Sequence, residues 1–125
     1  MIFNLRLVDR FHKAFGIGEA PKDPTLIPLK ESLLRYNLMV EENKEYLDAC
    51  KNDDLVEISD ALGDQLYVLC GTILKHGLQS KIGEVFMEIH DSNMSKLDEN
   101  GEPILREDGK VLKSNLYFKP DIKSI

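Results

Sequence analysis

The stretch Leu55-Val56-Glu57-Ile58-Ser59-Asp60-Ala61-Leu62-Gly63-Asp64-Gln65-Leu66-Tyr67-Val68-Leu69-Cys70-Gly71-Thr72-Ile73 contains no proline and repeats at the helical period. Leu55, Leu62, Leu66, Leu69 and Ile73 form one apolar stripe. Glu57, Asp60 and Asp64 fall within about 60° of one another on a second strip, which runs on through Ala61, Val68 and Gly71. A helix that is apolar on two sides belongs at the centre of a bundle. This segment therefore sets an all-α fold, with the acids set into a surface that other helices will cover.

Working outward, Asp53 or Asp54 is placed to cap this helix, which runs to Gly77. A preceding helix runs from Leu29 to Cys50, closed by Lys51-Asn52-Asp53-Asp54. An N-terminal helix over residues 3–15 carries Leu5, Val8, Phe11 (or His12) and Phe15 at helical spacing and stops at Gly16 and Gly18. Gly16–Pro28 reads as an ordered loop. Ser80 opens a further helix to about Leu97, with Ile82, Val85, Phe86 and Ile89 as its inner stripe. Short connections make neighbours antiparallel. The tail changes character: Ile104–Lys113, centred on Asp108-Gly109, predicts a hairpin with a two-residue turn and Glu107 opposite Lys110. The expectation is one domain over 1–125, an antiparallel bundle of four to five helices (body 1–97) with a C-terminal β-hairpin tail (98–125).

The 125 residues, 42% hydrophobic and 30% charged, suit one globular core and exclude a disordered tail or a disulfide mini-protein. A net charge of −6 argues against non-specific binding to nucleic acid or to an anionic membrane. No apolar run reaches the ~18 residues of a membrane span, and the N-terminus lacks the pattern of an export signal. Cys50 and Cys70 lack metal-ligand spacing and read as reduced thiols, so a cytoplasmic location is expected.

The chemistry lies in the acids. Glu42 and Glu45 sit about 60° apart on their helix, on the side that also carries Leu34, Leu38, Met39, Tyr46 and Ala49. Solvated charges would lie opposite such residues, not among them. Two antiparallel helices that each bring inward carboxylates favour a hard cation, Mg²⁺ or Mn²⁺, since crowded carboxylates repel without one. Asn93 and Lys96 continue the inner stripe of the last helix and suit a sugar or phosphate. His12 and His90 lack a nucleophile partner, His76 beside Gly77 reads as a helix C-terminal residue, and no Gly-rich phosphate loop is present.

Glu42-Asn43-Lys44-Glu45 followed by Glu57-Ile58-Ser59-Asp60-Ala61-Leu62-Gly63-Asp64 resembles the ExxE…ExxD pattern of the all-α nucleoside triphosphate pyrophosphohydrolases, which include MazG, the dimeric dUTPases and phosphoribosyl-ATP pyrophosphohydrolase. Gln65–Thr72, His90–Lys96 and Glu107–Lys113 are similar to the small stand-alone MazG-like branch, so the resemblance spans Val8 to Asp121. Ala61 stands where MazG proper has the first acid of Glu-Leu-Gly-Asp. The resemblance then implies a second acidic pair at Glu57 and Asp60, as in the dUTPase-like branch, with Asp64 auxiliary. It implies hydrolysis of a (d)NTP to the monophosphate and pyrophosphate, with Mg²⁺ (or Mn²⁺) on Glu42, Glu45, Glu57 and Asp60. Glu41 or Glu45 would orient or deprotonate the attacking water. Asn93, Lys96 and Lys113 would face the phosphates, Phe11 and Phe15 the base. The hairpin would act as a lid or a dimerisation arm. A homodimer or a dimer of dimers is implied, with nucleotide-pool sanitation as the role. The alternatives are a phosphoribosyl-ATP pyrophosphohydrolase and a non-catalytic helical module that binds a partner.

Overall fold

The computed structural model describes residues 2–125, with side chains from Phe3 onward. It contains four helices and one hairpin: α1 (Ile2–Ala14), α2 (Leu29–Lys51), α3 (Leu55–Lys75), α4 (Ile82–Met94), β1 (Ile104–Leu105) and β2 (Val111–Leu112). The all-α architecture with a C-terminal hairpin is as expected. The chain divides into two compact units, Met1–Ser80 and Lys81–Ile125, so α4 belongs with the hairpin tail.

In the first unit α3 packs against both α1 and α2, but of its Leu55-Leu62-Leu66-Leu69-Ile73 stripe only Ile73 is buried and the four leucines are exposed. Asp54 caps it, its carboxylate accepting from the Glu57 N–H at 3.1 Å. The connection Asn52–Asp54 is so short that α2 and α3 run antiparallel. Arg35 of α2 meets Val68 and Thr72 of α3, while Asn43 meets Gln65 nearer the turn. Leu5, Val8, Ala49, Ala61, Cys70, Ile73 and Leu74 form the buried core. His12 takes the inward position of α1 at 5% exposure, while Phe11 is 38% exposed. The Gly16–Pro28 loop is fastened to the end of α3: Lys75 donates to the Ile17 carbonyl, Gln79 to that of Pro21, and the Thr25 N–H to that of His76.

The second unit departs from expectation in three places. First, α4 starts at Ile82 after Lys81, with no side-chain cap from Ser80, and ends at Met94. The Ser95 hydroxyl donates back to the Ser92 carbonyl and accepts from the Phe118 N–H, which draws the chain out of the helix before Leu97. Second, Phe86 and Ile89, expected inside, are exposed. The tail instead runs back along another side of α4, where Ser92 donates to the Phe118 carbonyl, Ser114 to that of Ser95, and Glu88 accepts from the Asp121 N–H. Third, the hairpin pairs Ile104 with Leu112 and Leu105 with Val111. Arg106, not Glu107, closes the loop onto Lys110, and the Gly109 N–H donates to the Arg106 carbonyl. The loop Glu107-Asp108-Gly109 is thus one residue longer than a two-residue turn, with Gly109 at φ 86°, the left-handed position of a bulged three-residue hairpin. Asp108 holds this shape by accepting from Arg106 and from the Lys110 N–H.

Candidate active site

Because α2 and α3 are antiparallel and joined by so few residues, the level at which their carboxylates meet is set by the turn. Glu42 and Glu45 of α2 meet Asp64 of α3, with one carboxylate oxygen from each residue lying within 4.8 Å of the others. This is the one such group among the described residues. Glu42 and Asp64 are half-buried and Glu45 is exposed. The α3 partner of the Glu42–Glu45 pair is therefore Asp64, the residue expected to be auxiliary. Asp60 and Glu57 are exposed one and two turns nearer the N-terminus of α3, about 6 and 10 Å along the axis, and lie outside the trio.

The cluster is electrostatically strained. One oxygen of Glu42, Oε2, is buried without a hydrogen-bond partner. The Glu42 carboxyl is pushed up from its usual 4.5 to about 7, first by burial, then by the hydrogen bond and charge of Glu45, then by the charges of Asp64 and Glu41. A group whose folded pKa lies above its unfolded value holds an extra proton in the folded state. Stability of the metal-free protein should therefore fall as pH rises from about 4.5 to about 7. Urea midpoints measured in EDTA on either side of that window check this, and Glu42→Gln should flatten the dependence. A divalent cation must displace the same proton, so Mn²⁺ affinity should rise with pH through that window.

The donor set fits a hard cation. All three groups are carboxylates, no thiolate or imidazole joins them, and the unpartnered Glu42 oxygen lacks the charge partner that a buried acid needs.

The other expected residues are placed as follows. Glu41 is exposed beside Glu42. Phe11 and Phe15 stack at 4.5 Å between ring centroids, and Tyr67 of α3 meets Phe11 edge-on at 5.6 Å, adding an aromatic that the sequence reading did not single out. In the second unit Asn93 is exposed and Lys96 half-buried, while Lys113 lies over the Tyr117 ring at 4.7 Å. Arg35 was also not anticipated. It is 7% exposed, donates from Nε to Thr72 Oγ1 at 3.1 Å and from Nη2 to the Val68 carbonyl at 2.8 Å, and forms no ion pair among the described residues. Burial lowers its pKa and, with Arg35 and Lys75 nearby, that of His12. Through its bonds Arg35 ties α2 to α3. Among the described residues, neither Cys50 nor Cys70 is in a disulfide, and no helix is long and apolar enough to cross a membrane.

A helical body with opposed carboxylates on an antiparallel pair defines the class of all-α nucleotide pyrophosphohydrolases, and comparison with known proteins agrees. The family model of phosphoribosyl-ATP pyrophosphohydrolase matches residues 8–93, and the chain belongs to that family. Among solved structures, a candidate NTP pyrophosphohydrolase from Exiguobacterium sp. 255-15 is similar, with a TM-score of 0.53 and 26% identity over 97% of this chain and 92% of that one. Comparison with curated proteins finds no match. At the level of the family, these findings support pyrophosphohydrolase activity on nucleotides.

Proposed function

We propose that the protein is a Mg²⁺-dependent nucleoside triphosphate pyrophosphohydrolase, converting a (d)NTP and water to the monophosphate and pyrophosphate in cytoplasmic nucleotide-pool sanitation. The observation that carries this reading is the convergence of Glu42, Glu45 and Asp64 around a buried, unpartnered carboxylate oxygen. These three would hold the cation, with Mn²⁺ able to substitute. Glu57 and Asp60 extend the same strip of α3 toward a second ion. When bound, the metal neutralises the phosphates and lowers the pKa of a water. Glu41 or Glu45 would orient the attacking water and take its proton. Phe11 and Phe15, with Tyr67, offer aromatic surface for the base. Within the second unit, Asn93, Lys96 and Lys113 carry donors of the kind that bind phosphate.

A pyrophosphate-release assay over canonical and modified nucleotides tests the reading. Pyrophosphate, not orthophosphate, should appear from at least one (d)NTP with Mg²⁺ and vanish in EDTA. Full activity in EDTA would overturn the metal assignment. The family match favours a second substrate, phosphoribosyl-ATP, and turnover of that compound alone would select it. A protein inert to the whole panel would be a partner-binding module.

We also propose a homodimer or a dimer of dimers. Leu62, Leu66 and Leu69 of α3 are 39–49% exposed, and Tyr36 and Val40 of α2 are exposed as well. A second copy covering this surface by a two-fold operation would supply the missing neighbours. Light scattering at micromolar concentration should give at least twice the protomer mass, and a monomer would contradict it.

A further inference from the structure

At the level of the carboxylate trio, one side-chain bond joins α2 and α3 among the described residues. Gln65 Nε2 donates to Asn43 Oδ1 at 3.0 Å. Asn43 follows Glu42 in the chain and Gln65 follows Asp64, so the amide pair stands one residue to the flank of the acids on both helices. The flank is otherwise apolar: the two amides line an open surface groove with Tyr36, Met39, Val40 and Leu69. Asn43 is exposed and Gln65 half-buried, so core packing does not call for a hydrogen-bonded pair here.

We propose that Asn43 and Gln65 form a strut that fixes the α2–α3 spacing at the level of the acids, making them positioning residues for the cation site. This rests on the metal reading given above. The physical need is plain. Three carboxylates with oxygens within 4.8 Å repel one another when no cation lies between them. The nearest other polar tie between the two helices runs from Arg35, whose partners Val68 and Thr72 lie one and two turns further along α3 than Asp64. Without a bond at the level of the acids, the repulsion separates the helices locally, and a cation must then pay to draw them together. With it, the ligands are held in place before the cation arrives.

Mn²⁺ binding, read by electron paramagnetic resonance on the full-length protein, tests the strut. Asn43→Leu and Gln65→Leu should each weaken Mn²⁺ by roughly tenfold, the effect typical of groups that orient metal ligands. The double variant should be no worse than either single one, because one bond is lost in all three. Asn43 is exposed and Gln65 half-buried, so the unfolding midpoint should hold in both Leu variants. The exchange Asn43→Gln with Gln65→Asn keeps the combined length of the pair and should restore affinity, which repair of packing alone would not do. Wild-type Mn²⁺ affinity in the single variants would overturn the strut while leaving the metal site standing. Additive losses, or an exchange variant as weak as the singles, would overturn it as well. A wild-type protein that binds no Mn²⁺ would overturn the metal reading itself, and the strut with it.

Discussion

Glu42→Gln should lower metal-dependent pyrophosphate release by at least ~100-fold, with helicity unchanged. The substitution keeps the size of the side chain and removes the charge at the most perturbed carboxyl of the cluster, the one with a buried, unpartnered oxygen. Steady-state kinetics with Mg²⁺ in excess, together with circular dichroism, check this. Glu45→Gln should behave alike. The α3 side of the site gives a sharper comparison. Asp64→Asn removes a member of the trio, whereas Asp60→Asn and Glu57→Gln change exposed carboxylates one and two turns away. If one cation does the chemistry, Asp64→Asn should match Glu42→Gln and the other two should retain most activity. Equal loss at Asp60 would mean that the strip of α3 acts as a unit around a second ion.

Gly71→Ala should destabilise the protein by about 1–3 kcal/mol, the usual range for forcing volume into a filled core. A Cβ at this position would lie 2.5 Å from Arg35 Nη2 and 2.9 Å from His12 Nε2. Neither side chain can easily retreat. Arg35 is tied to Thr72 and Val68, and His12 is buried between helices. Urea unfolding gives the loss directly. Adding His12→Ala should recover part of it, since one of the two obstructing groups is then gone. At Gly71 side chains from α1 and α2 both close on the α3 backbone, which makes the missing side chain a packing requirement.

The periodicity of residues 55–73 was enough to place α3 at the centre, and the Asp54 cap and the short turn set its antiparallel partner. The same arithmetic applied to α2 picks out Arg35, about 20° from Glu42 on the helical wheel. A second charge on an apolar face was therefore visible in the sequence, although its partners Val68 and Thr72 were not. Phe11 and His12 compete for one inward position, and local pattern cannot choose between neighbours when both suit a half-buried site. The hairpin was signalled by Asp108-Gly109, but whether the loop holds two residues or three depends on which strand residues pair.

What the sequence determined by itself was local. It set helix identity, the caps, the presence of acids inside apolar faces, and the family those acids belong to, because each is written in residues a few positions apart. What only the tertiary structure decided was which carboxylates meet. Glu57, Asp60 and Asp64 share one strip of α3 and are equivalent on a helical wheel. Asp64 joins Glu42 and Glu45 because the three-residue turn and the Arg35 and Asn43–Gln65 ties bring the two helices together at that level. The register between two helices is a sum of contacts along their whole length, and no single segment encodes it.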